Sequence, residues 1–296
     1  MTTVADGTIV SEFIACVKGG VARRLAPLAL AAGGRDIATD LVGGKMLRTR
    51  FAARLAAHGL VYSAPPALER ACVAVETLHT ATLCHDDVMD NALIRRAAPT
   101  LWRVTGPSAA VMIGDWLLAD SVQVVAGIES GRYLPLFLSK VQETCRAEAE
   151  HEISYRGRRF DVETGLRLAR GKTGPFFSFI GHVCGGDDAE LARALELAGY
   201  CVGTAYQLAD DLLDVTGRDE EAGKTLGTDG ARKKFTLAQM APNGPALTKE
   251  LVAAQCARAL KRLSQWPRER AGLAAFLRED LFPLFMKLGI AAEAAA

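Results

Sequence analysis

Apolar residues recur along this chain at helical spacing. Residues 71–87, the run ACVAVETLHTATLCHDD, are largely apolar and contain few helix breakers. Near the C-terminus, one helical face is formed by Leu251, Val252, Cys256, Leu260 and Leu263. No segment has the pattern of a convincing strand or of an Asn-Gly β-hairpin. The pattern predicts an all-α protein.

Glycine and proline divide this pattern into helical lengths. The breakers are Gly33-Gly34, Gly43-Gly44, Pro65-Pro66, Pro107, Gly185-Gly186, the glycine-bearing run 217–230 and Pro242 to Pro245. They leave about ten helices joined by connections of ordinary length. Because no linker or tandem repeat interrupts the chain, we expect one helical domain over residues 1–296. We also expect a helix to begin near Lys172, just before Pro175.

Composition narrows the class of protein. The 296 residues include 35 Lys or Arg and 34 Asp or Glu, and this net charge of +1 gives no case for a nucleic-acid partner. The seven cysteines form no C-x-x-C pair. We therefore expect neither zinc nor disulfides and infer a cytoplasmic location. The N-terminus has no signal-peptide pattern, and no uncharged apolar stretch reaches the roughly 18 to 20 residues of a membrane span, so we expect no transmembrane segment.

Two acidic segments have the same spacing, DDVMD at residues 86–90 and DDLLD at residues 210–214. Each places carboxylates at i, i+1 and i+4, which concentrates three negative charges on one flank of a helix. One such segment is commonly just a solvated flank. Two segments of identical spacing, each at the end of an apolar run, indicate a site for a hard cation such as Mg²⁺.

Basic residues near these segments are candidate anion ligands. They are Lys45, Arg48, His79, Arg95, Arg96, Lys172, Lys224 and Lys234. Arginine forks suit phosphate, and a glycine pair lets the backbone approach a ligand closely. Taken singly these signals are weak, because surface basic pairs are common and a lone histidine on an apolar helix is usually packed in a core. The motifs of serine hydrolases and P-loop proteins are missing from the sequence.

Together these segments resemble the trans-isoprenyl diphosphate synthase (polyprenyl synthetase) family. Its motifs occur in family order between about Gly43 and about Leu237, as GGKMLR, LHTATLCHDDVMD followed by RR, GDWLLADS, GKTG, GTAYQLADDLLD, GKTLGTD and TDGARKKFTL. The resemblance implies an isoprenoid-synthase-type helical bundle around a central cavity and a homodimer. It also implies Mg²⁺-dependent head-to-tail (1'–4) condensation of isopentenyl diphosphate with an allylic diphosphate to an all-trans polyprenyl diphosphate.

The resemblance assigns roles by position. A trinuclear Mg²⁺ cluster is implied at Asp86, Asp87, Asp90, Asp210 and Asp214, with Asp211 beside it. The diphosphate of isopentenyl diphosphate is assigned to Lys45, Arg48, His79 and Arg96. The allylic diphosphate is assigned to Arg95, Lys172 and Lys234, with Lys224 in support. The reacting centre, where an oxygen dipole stabilises an allylic cation, is assigned to Thr173 and Gln207.

Four positions depart from the family pattern. Met46 replaces an arginine, Thr49 a proline, His151 the glutamine of a Gly-Glu-x-x-Gln segment, and Lys233 a glycine. None of them removes an implied metal ligand, and they leave substrate preference and loop closure open.

The family's chain-length positions lie four and five residues before the first aspartate. Here they are Thr82 and Ala81, both small, which predicts a product of at least twenty carbons, with medium to long chains favoured. Candidate deeper floors are Leu78, Val111 and Met112. The alternatives are a geranylgeranyl diphosphate synthase with a deeper floor, a class I terpene cyclase and a non-catalytic family subunit. Two complete aspartate segments argue against the last two.

Overall fold

The computed structural model describes residues 2–31, 41, 44–59, 66–96, 98–216, 234–240 and 243–290, and most of these residues are helical. In chain order the helices are α1 Thr2–Ala31, α2 Leu47–His58, α3 Pro66–Met89, α4 Leu101–Thr105, α5 Pro107–Ala126, α6 Leu134–Ser154, α7 Val162–Gly185, α8 Ala189–Thr216, α9 Leu237–Met240, α10 Gly244–Arg262, α11 Pro267–Phe276 and α12 Phe282–Met286. A 3₁₀ turn spans Glu129–Gly131, and a π-helical turn spans Leu277–Leu281. The all-α prediction is confirmed.

A short hairpin follows the first acidic segment, where no strand was expected. Strands β1, Ile94–Arg95, and β2, Ala98–Pro99, pair antiparallel, with Ile94 opposite Pro99 and Arg95 opposite Ala98. Two-residue strands leave no hydrophobic alternation to detect, which explains why the pattern missed them. The hairpin places its arginines next to the end of α3.

Helices α7 and α8 pack most closely of all the described elements and form the centre of the bundle. Phenylalanine rings join this centre to the helices at both ends of the chain. The rings of Phe51 on α2 and Phe177 on α7 lie 5.9 Å apart, and Phe51 and Phe276 on α11 lie 5.4 Å apart, both edge to face. These buried side chains belong to one hydrophobic cluster that draws on helices from α1 to α12.

The expectation that a helix begins near Lys172 was wrong, because α7 begins ten residues earlier. Its N-cap is Asp161, whose side chain accepts a hydrogen bond of 2.8 Å from the amide of Thr164. Such a cap satisfies an amide that has no partner within the helix. Pro175 lies inside the helix instead of at its start. Burial of almost every residue from 173 to 185 stabilises the continuous helix against the missing proline donor.

Helix α5 is the one described helix that is long and apolar enough to cross a membrane by length and composition. We expected no such segment from the sequence, because no uncharged apolar stretch reaches the length of a membrane span, and α5 itself contains Asp115 and Asp120. The helix packs along α3 on one side, and on the other it exposes Met112 by 63% and Trp116 by 38%. A single helix of this kind is weak evidence for a membrane span, since core helices pass the same test.

Candidate active site

A cavity of about 730 Å³ lies between the C-terminal halves of α3, α6 and α8 and the middle of α7. The segments before α2 and α9 complete its wall. Of the residues predicted from sequence, the wall contains Lys45, Arg48, His79, Thr82, Asp86, Asp90, Arg95, Arg96, Lys172, Thr173, Gln207, Asp210, Asp214 and Lys234. Residues from distant parts of the chain therefore meet at one site.

Three predicted residues do not line this cavity, and a fourth cannot be placed. Asp87 accepts a hydrogen bond of 2.7 Å from Nε of Arg95 at its Oδ1, and Nη2 of Arg95 forms an ion pair with the same oxygen at 2.7 Å. Asp211 accepts a bond of 2.8 Å from Nε2 of Gln207. Ala81 is packed in the core with 1% of its surface exposed. Lys224 lies outside the described residues.

The candidate floors beyond Thr82 also lie elsewhere. Leu78 is buried in the core, whereas Val111 and Met112 are on the exposed face of α5. None of these three residues lines the cavity. Thr144 and Cys145 of α6 line the cavity together with Thr82.

Four aspartates share the cavity, two from each acidic segment. Burial, assisted by the negative charge of Glu148, raises the pKa of Asp86 to about 7, although Lys234, Arg95 and Lys172 oppose this shift. Among the described residues, no three acidic, histidine or cysteine side chains converge closely enough to bind a metal ion alone. Mg²⁺ commonly completes its shell with water and substrate phosphate oxygens. The donor set therefore fits Mg²⁺ that is held jointly with a diphosphate.

One group of basic residues stands at the α2 end of the cavity and comprises Lys45, Arg48, His79 and Arg96. Gly44 adopts φ +137°, and a Cβ there would lie 2.6 Å from Nη2 of Arg96. Glycine thus lets this guanidinium approach the segment that carries Lys45. Burial, and then the charges of Arg48 and Arg96, hold the pKa of His79 well below its ordinary value. His79 is consequently a neutral hydrogen-bonding group within a cationic site.

Arg48 is buried at this same end of the cavity. Its guanidinium carbon lies 5.7 Å from the ring centroid of Phe176 and 5.5 Å from that of Phe177. Its Nε has no hydrogen-bond partner among the described residues. A buried guanidinium held over aromatic faces is ready to bind an anion.

A second basic group lies across the cavity, where Lys172 and Lys234 share Glu148. Oε2 of Glu148 lies 3.4 Å from Nζ of Lys172 and 3.1 Å from Nζ of Lys234. Burial alone would raise the pKa of Glu148, but these two ammonium groups lower it. Glu148 therefore stays ionised and draws both lysines toward Asp86.

Thr173 of α7 and Gln207 of α8 both line the cavity and contact each other. The hydroxyl of Thr173 donates a hydrogen bond of 2.5 Å to Oε1 of Gln207, and Nε2 of Gln207 donates to Asp211. This chain fixes which end of the amide carries the oxygen. Asp211 lies one turn after Gln207 on α8, and by accepting this hydrogen bond it orients the Gln207 amide.

Sequence reasoning missed several residues of the site. Glu76 lines the cavity, and its Oε1 accepts bonds from the amide of Thr49 at 3.3 Å and from its hydroxyl at 2.9 Å. A proline at residue 49 could supply neither donor. Tyr206, next to Gln207, also lines the cavity. The signal for Glu76 was available, because it precedes His79 by three residues on one helical face.

The arrangement of two acidic segments and two basic groups can be compared with known families. A family model described as polyprenyl synthetase matches residues 35–251, more than half of the chain. This chain belongs to the polyprenyl synthetase family. The GGKMLR segment, both aspartate segments and Lys172 all fall within the matched residues.

Curated family members of different product lengths match the chain. Nonaprenyl diphosphate synthase of Mycobacterium tuberculosis is 33% identical over 79% of this chain and 73% of that protein. Geranylgeranyl diphosphate synthase of the same organism is 35% identical over 66% of this chain and 57% of that protein. Heptaprenyl diphosphate synthase component 2 of Bacillus subtilis is 33% identical over 60% and 53%. The last two matches span less than two-thirds of the relative.

Solved polyprenyl synthetase structures share the fold. A polyprenyl synthase from Caulobacter crescentus, crystallised with calcium and isoprenyl diphosphate, superposes with a TM-score of 0.80 at 23% identity over 91% of this chain and 94% of that one. A geranylgeranyl pyrophosphate synthase from Lactobacillus brevis superposes with a TM-score of 0.75 at 21% identity over 92% and 97%. These likenesses establish the isoprenoid-synthase fold of this chain.

Proposed function

We propose that this protein is a prenyltransferase that condenses isopentenyl diphosphate with an allylic diphosphate. The observation that carries the proposal is the pairing of two aspartate segments with two separate basic groups around one cavity. A reaction between two diphosphates needs two anion sites, and only one of them needs to activate its diphosphate as a leaving group. The aspartate segments can activate the diphosphate at one of the two anion sites and so distinguish it from the other.

The allylic diphosphate is proposed to bind where Arg95, Lys172 and Lys234 face the aspartates. Asp86, Asp90, Asp210 and Asp214 would hold Mg²⁺, three ions by family resemblance. Mg²⁺ held by these aspartates would supply positive charge that neutralises the departing pyrophosphate. The carbon–oxygen bond of the allylic substrate breaks, and its electron pair leaves with pyrophosphate.

The second substrate is proposed to bind at the α2 end, with its diphosphate on Lys45, Arg48, His79 and Arg96. Its double bond attacks the allylic carbon, which forms the new carbon–carbon bond. The oxygens of Thr173 and Gln207 lie at the reacting centre and stabilise the developing cation. The adduct then loses a proton, which the departed pyrophosphate accepts. The apolar bundle excludes water, which would otherwise capture the cation.

We propose a product of at least twenty carbons, with medium to long chains favoured. The support is the absence of a bulky side chain at Ala81 or Thr82. Similar proteins range from a farnesyl to a nonaprenyl diphosphate synthase, so they include both shorter and longer products. A geranylgeranyl diphosphate synthase is the alternative, if the cavity closes below Thr82.

All seven cysteines are free, which supports a reducing cytoplasmic compartment.

We also propose a homodimer that forms through the exposed face of α5. Val111, Met112 and Trp116 lie along this face. Contiguous exposed apolar side chains of this kind commonly mark an interaction surface. Met112→Glu with Trp116→Glu should convert a dimer into a monomer in light-scattering chromatography. A dimer that survives both changes would place the interface elsewhere.

The central test is a reaction with Mg²⁺, isopentenyl diphosphate and, separately, dimethylallyl, geranyl, farnesyl and geranylgeranyl diphosphates, with products sized by mass spectrometry. Products longer than twenty carbons support the full proposal. Termination at twenty supports the alternative floor. An allylic diphosphate consumed without isopentenyl diphosphate indicates a terpene cyclase. No turnover of any starter indicates a non-catalytic subunit.

A further inference from the structure

A buried carboxylate near the end of the chain reaches toward the active site. Asp280 lies in the π-helical turn between α11 and α12, and its side chain is 3% exposed. Its Oδ1 accepts a hydrogen bond of 3.0 Å from Nη1 of Arg50, and its Oδ2 accepts one of 2.9 Å from Nε of Arg54. Two arginines one turn apart on α2 thus share one carboxylate. Charge-assisted bonds of this kind are short and directional.

The two arginines differ in their second contact. Arg54 turns its Nη1 to Glu279, at 2.6 Å, so both of its carboxylate partners belong to the π-helical turn. Arg50 instead donates its Nε to the carbonyl oxygen of Lys45 at 2.9 Å. Arg50 therefore connects the turn at the end of the chain to the backbone of a cavity residue.

The segment that carries Lys45 has an unusual backbone. Gly44 adopts φ +137° and Met46, the N-cap of α2, adopts φ 47°. A methionine in the left-handed region is disfavoured, and no side chain caps the helix at Met46. Such a conformation persists where surrounding contacts fix it. The hydrogen bond that Arg50 donates to the Lys45 carbonyl is one such contact, because Lys45 lies between Gly44 and Met46.

We propose that Arg50, anchored by Asp280, is a positioning residue for the isopentenyl diphosphate site. It fixes the peptide after Lys45, and so fixes the direction in which the Lys45 side chain enters the cavity. The inference rests on the proposed function for the role of Lys45. Neither Arg50 nor Asp280 belongs to the motif segments that resemble the polyprenyl synthetase family, so this role is not implied by that resemblance.

The planar guanidinium suits this task. Its Nε and Nη1 serve two acceptors at once, the Lys45 carbonyl and the Asp280 carboxylate, in a fixed geometry. The proposed allylic diphosphate site draws its residues from β1, from α7 and from the segment before α9, none of which contacts Arg50 in the described hydrogen bonds. Loss of Arg50 should therefore affect one substrate and spare the other.

The test compares Arg50→Met with Arg54→Met, since each removes one partner of Asp280 and only Arg50 contacts Lys45. Arg50→Met should raise the KM for isopentenyl diphosphate about three- to tenfold, the value of one hydrogen bond. Its KM for the allylic substrate should change less than about twofold. Arg54→Met should lower the Tm at least as much as Arg50→Met does. It should leave the KM values for both substrates near those of the wild type.

Binding of isopentenyl diphosphate, measured by calorimetry without an allylic substrate, separates this inference from the proposed function. Weaker binding by Arg50→Met alone supports the inference even if no condensation is detected. Equal affinities in the wild type and both variants overturn it, even if the wild type makes product. Equal losses in both variants also overturn it, because they would reflect general loosening of α2.

Discussion

At the scale of single residues, His151 shows how a departure from the family pattern is accommodated. It is buried, it stacks edge to face on Phe160 at 5.9 Å, and its Nε2 donates to the carbonyl of Phe235 at 3.0 Å. That carbonyl directly follows Lys234. Burial, and then the charges of Lys172 and Lys234, lower the pKa of His151 to about 4.

This lowered pKa predicts how stability depends on pH. Because the unfolded imidazole titrates near its ordinary value, the unfolded state binds the extra proton first as pH falls from about 6.5 toward 4. Between pH 6.5 and 4, the free energy of unfolding of the wild type should fall by up to about 3 kcal/mol because of this proton uptake. His151→Gln, which keeps a donor for Phe235, should show a flatter decline in chemical-denaturation midpoints. Parallel profiles would contradict the assignment.

Thr82 is the better position at which to test product length. It lines the cavity, whereas Ala81 is packed in the core, where a phenylalanine would cost about 1–3 kcal/mol through overpacking. Thr82→Phe should shorten the product by at least one isoprene unit with little change in Tm. Thr82→Val, which is nearly isosteric, is the matched control and should leave product length unchanged. An unchanged ladder in Thr82→Phe would show that the chain grows along another wall.

At the scale of elements, the site depends on how closely α7 approaches α8. A Cβ on Gly203 would lie 2.6 Å from Cα of Gly174 and 2.8 Å from the carbonyl oxygen of Thr173. Backbone atoms at this distance cannot move aside without displacing the whole helix. The crossing of the two helices therefore sets the position of Thr173 relative to Gln207.

Gly203→Ala should cost about 1–3 kcal/mol in unfolding free energy. It should also reduce kcat about tenfold or more, because Thr173 shifts from the reacting centre. Gly7→Ala on α1 is the control, since nothing lies within 4 Å of its added Cβ and helix propensity should stabilise it slightly. Calorimetry and steady-state kinetics measure the two effects. A stable Gly203→Ala variant with normal kcat would show that the helices can separate without harm.

The helices themselves were largely predictable, and their limits were less so. Glycine and proline breakers marked the start of α5 at Pro107 and the end of α7 at Gly185. Pro175 led to a wrong helix boundary, because a proline within a helical pattern usually marks the end or start of a helix. Here burial against other helices keeps α7 continuous through Pro175. Local propensity carries no information about that burial.

At the scale of the whole molecule, spacing predicted which residues meet but not which way each side chain turns. Asp86 and Asp87 are adjacent in sequence, yet Asp86 faces the cavity and Asp87 faces Arg95 of the hairpin. The hairpin has no sequence signature, so this division could not be foreseen. The hydrogen bonds that Arg50 and Arg54 donate to Asp280 join residues 230 and 226 positions apart, and no local sequence pattern indicates them.

The cavity brings acidic and basic side chains together. The four aspartates repel one another, and Asp86 bears a raised pKa as a result of burial and of Glu148. Mg²⁺ alone finds no three converging ligands among the described residues, and pyrophosphate alone meets the aspartates as well as the basic groups. Each ligand supplies what the other lacks, so their binding should be cooperative.

Thermal unfolding should therefore show a larger rise in Tm with Mg²⁺ and inorganic pyrophosphate together than the sum of the separate rises. Ligands at a hundredfold excess over Kd contribute about 2.7 kcal/mol, which corresponds to several degrees for a chain of this size. Asp214→Asn should reduce the cooperative part, whereas Asp187→Asn on the exposed surface should leave it intact. Additive rises in the wild type would mean that metal and diphosphate do not share one site, and activation of the leaving group by the aspartates would lose its basis.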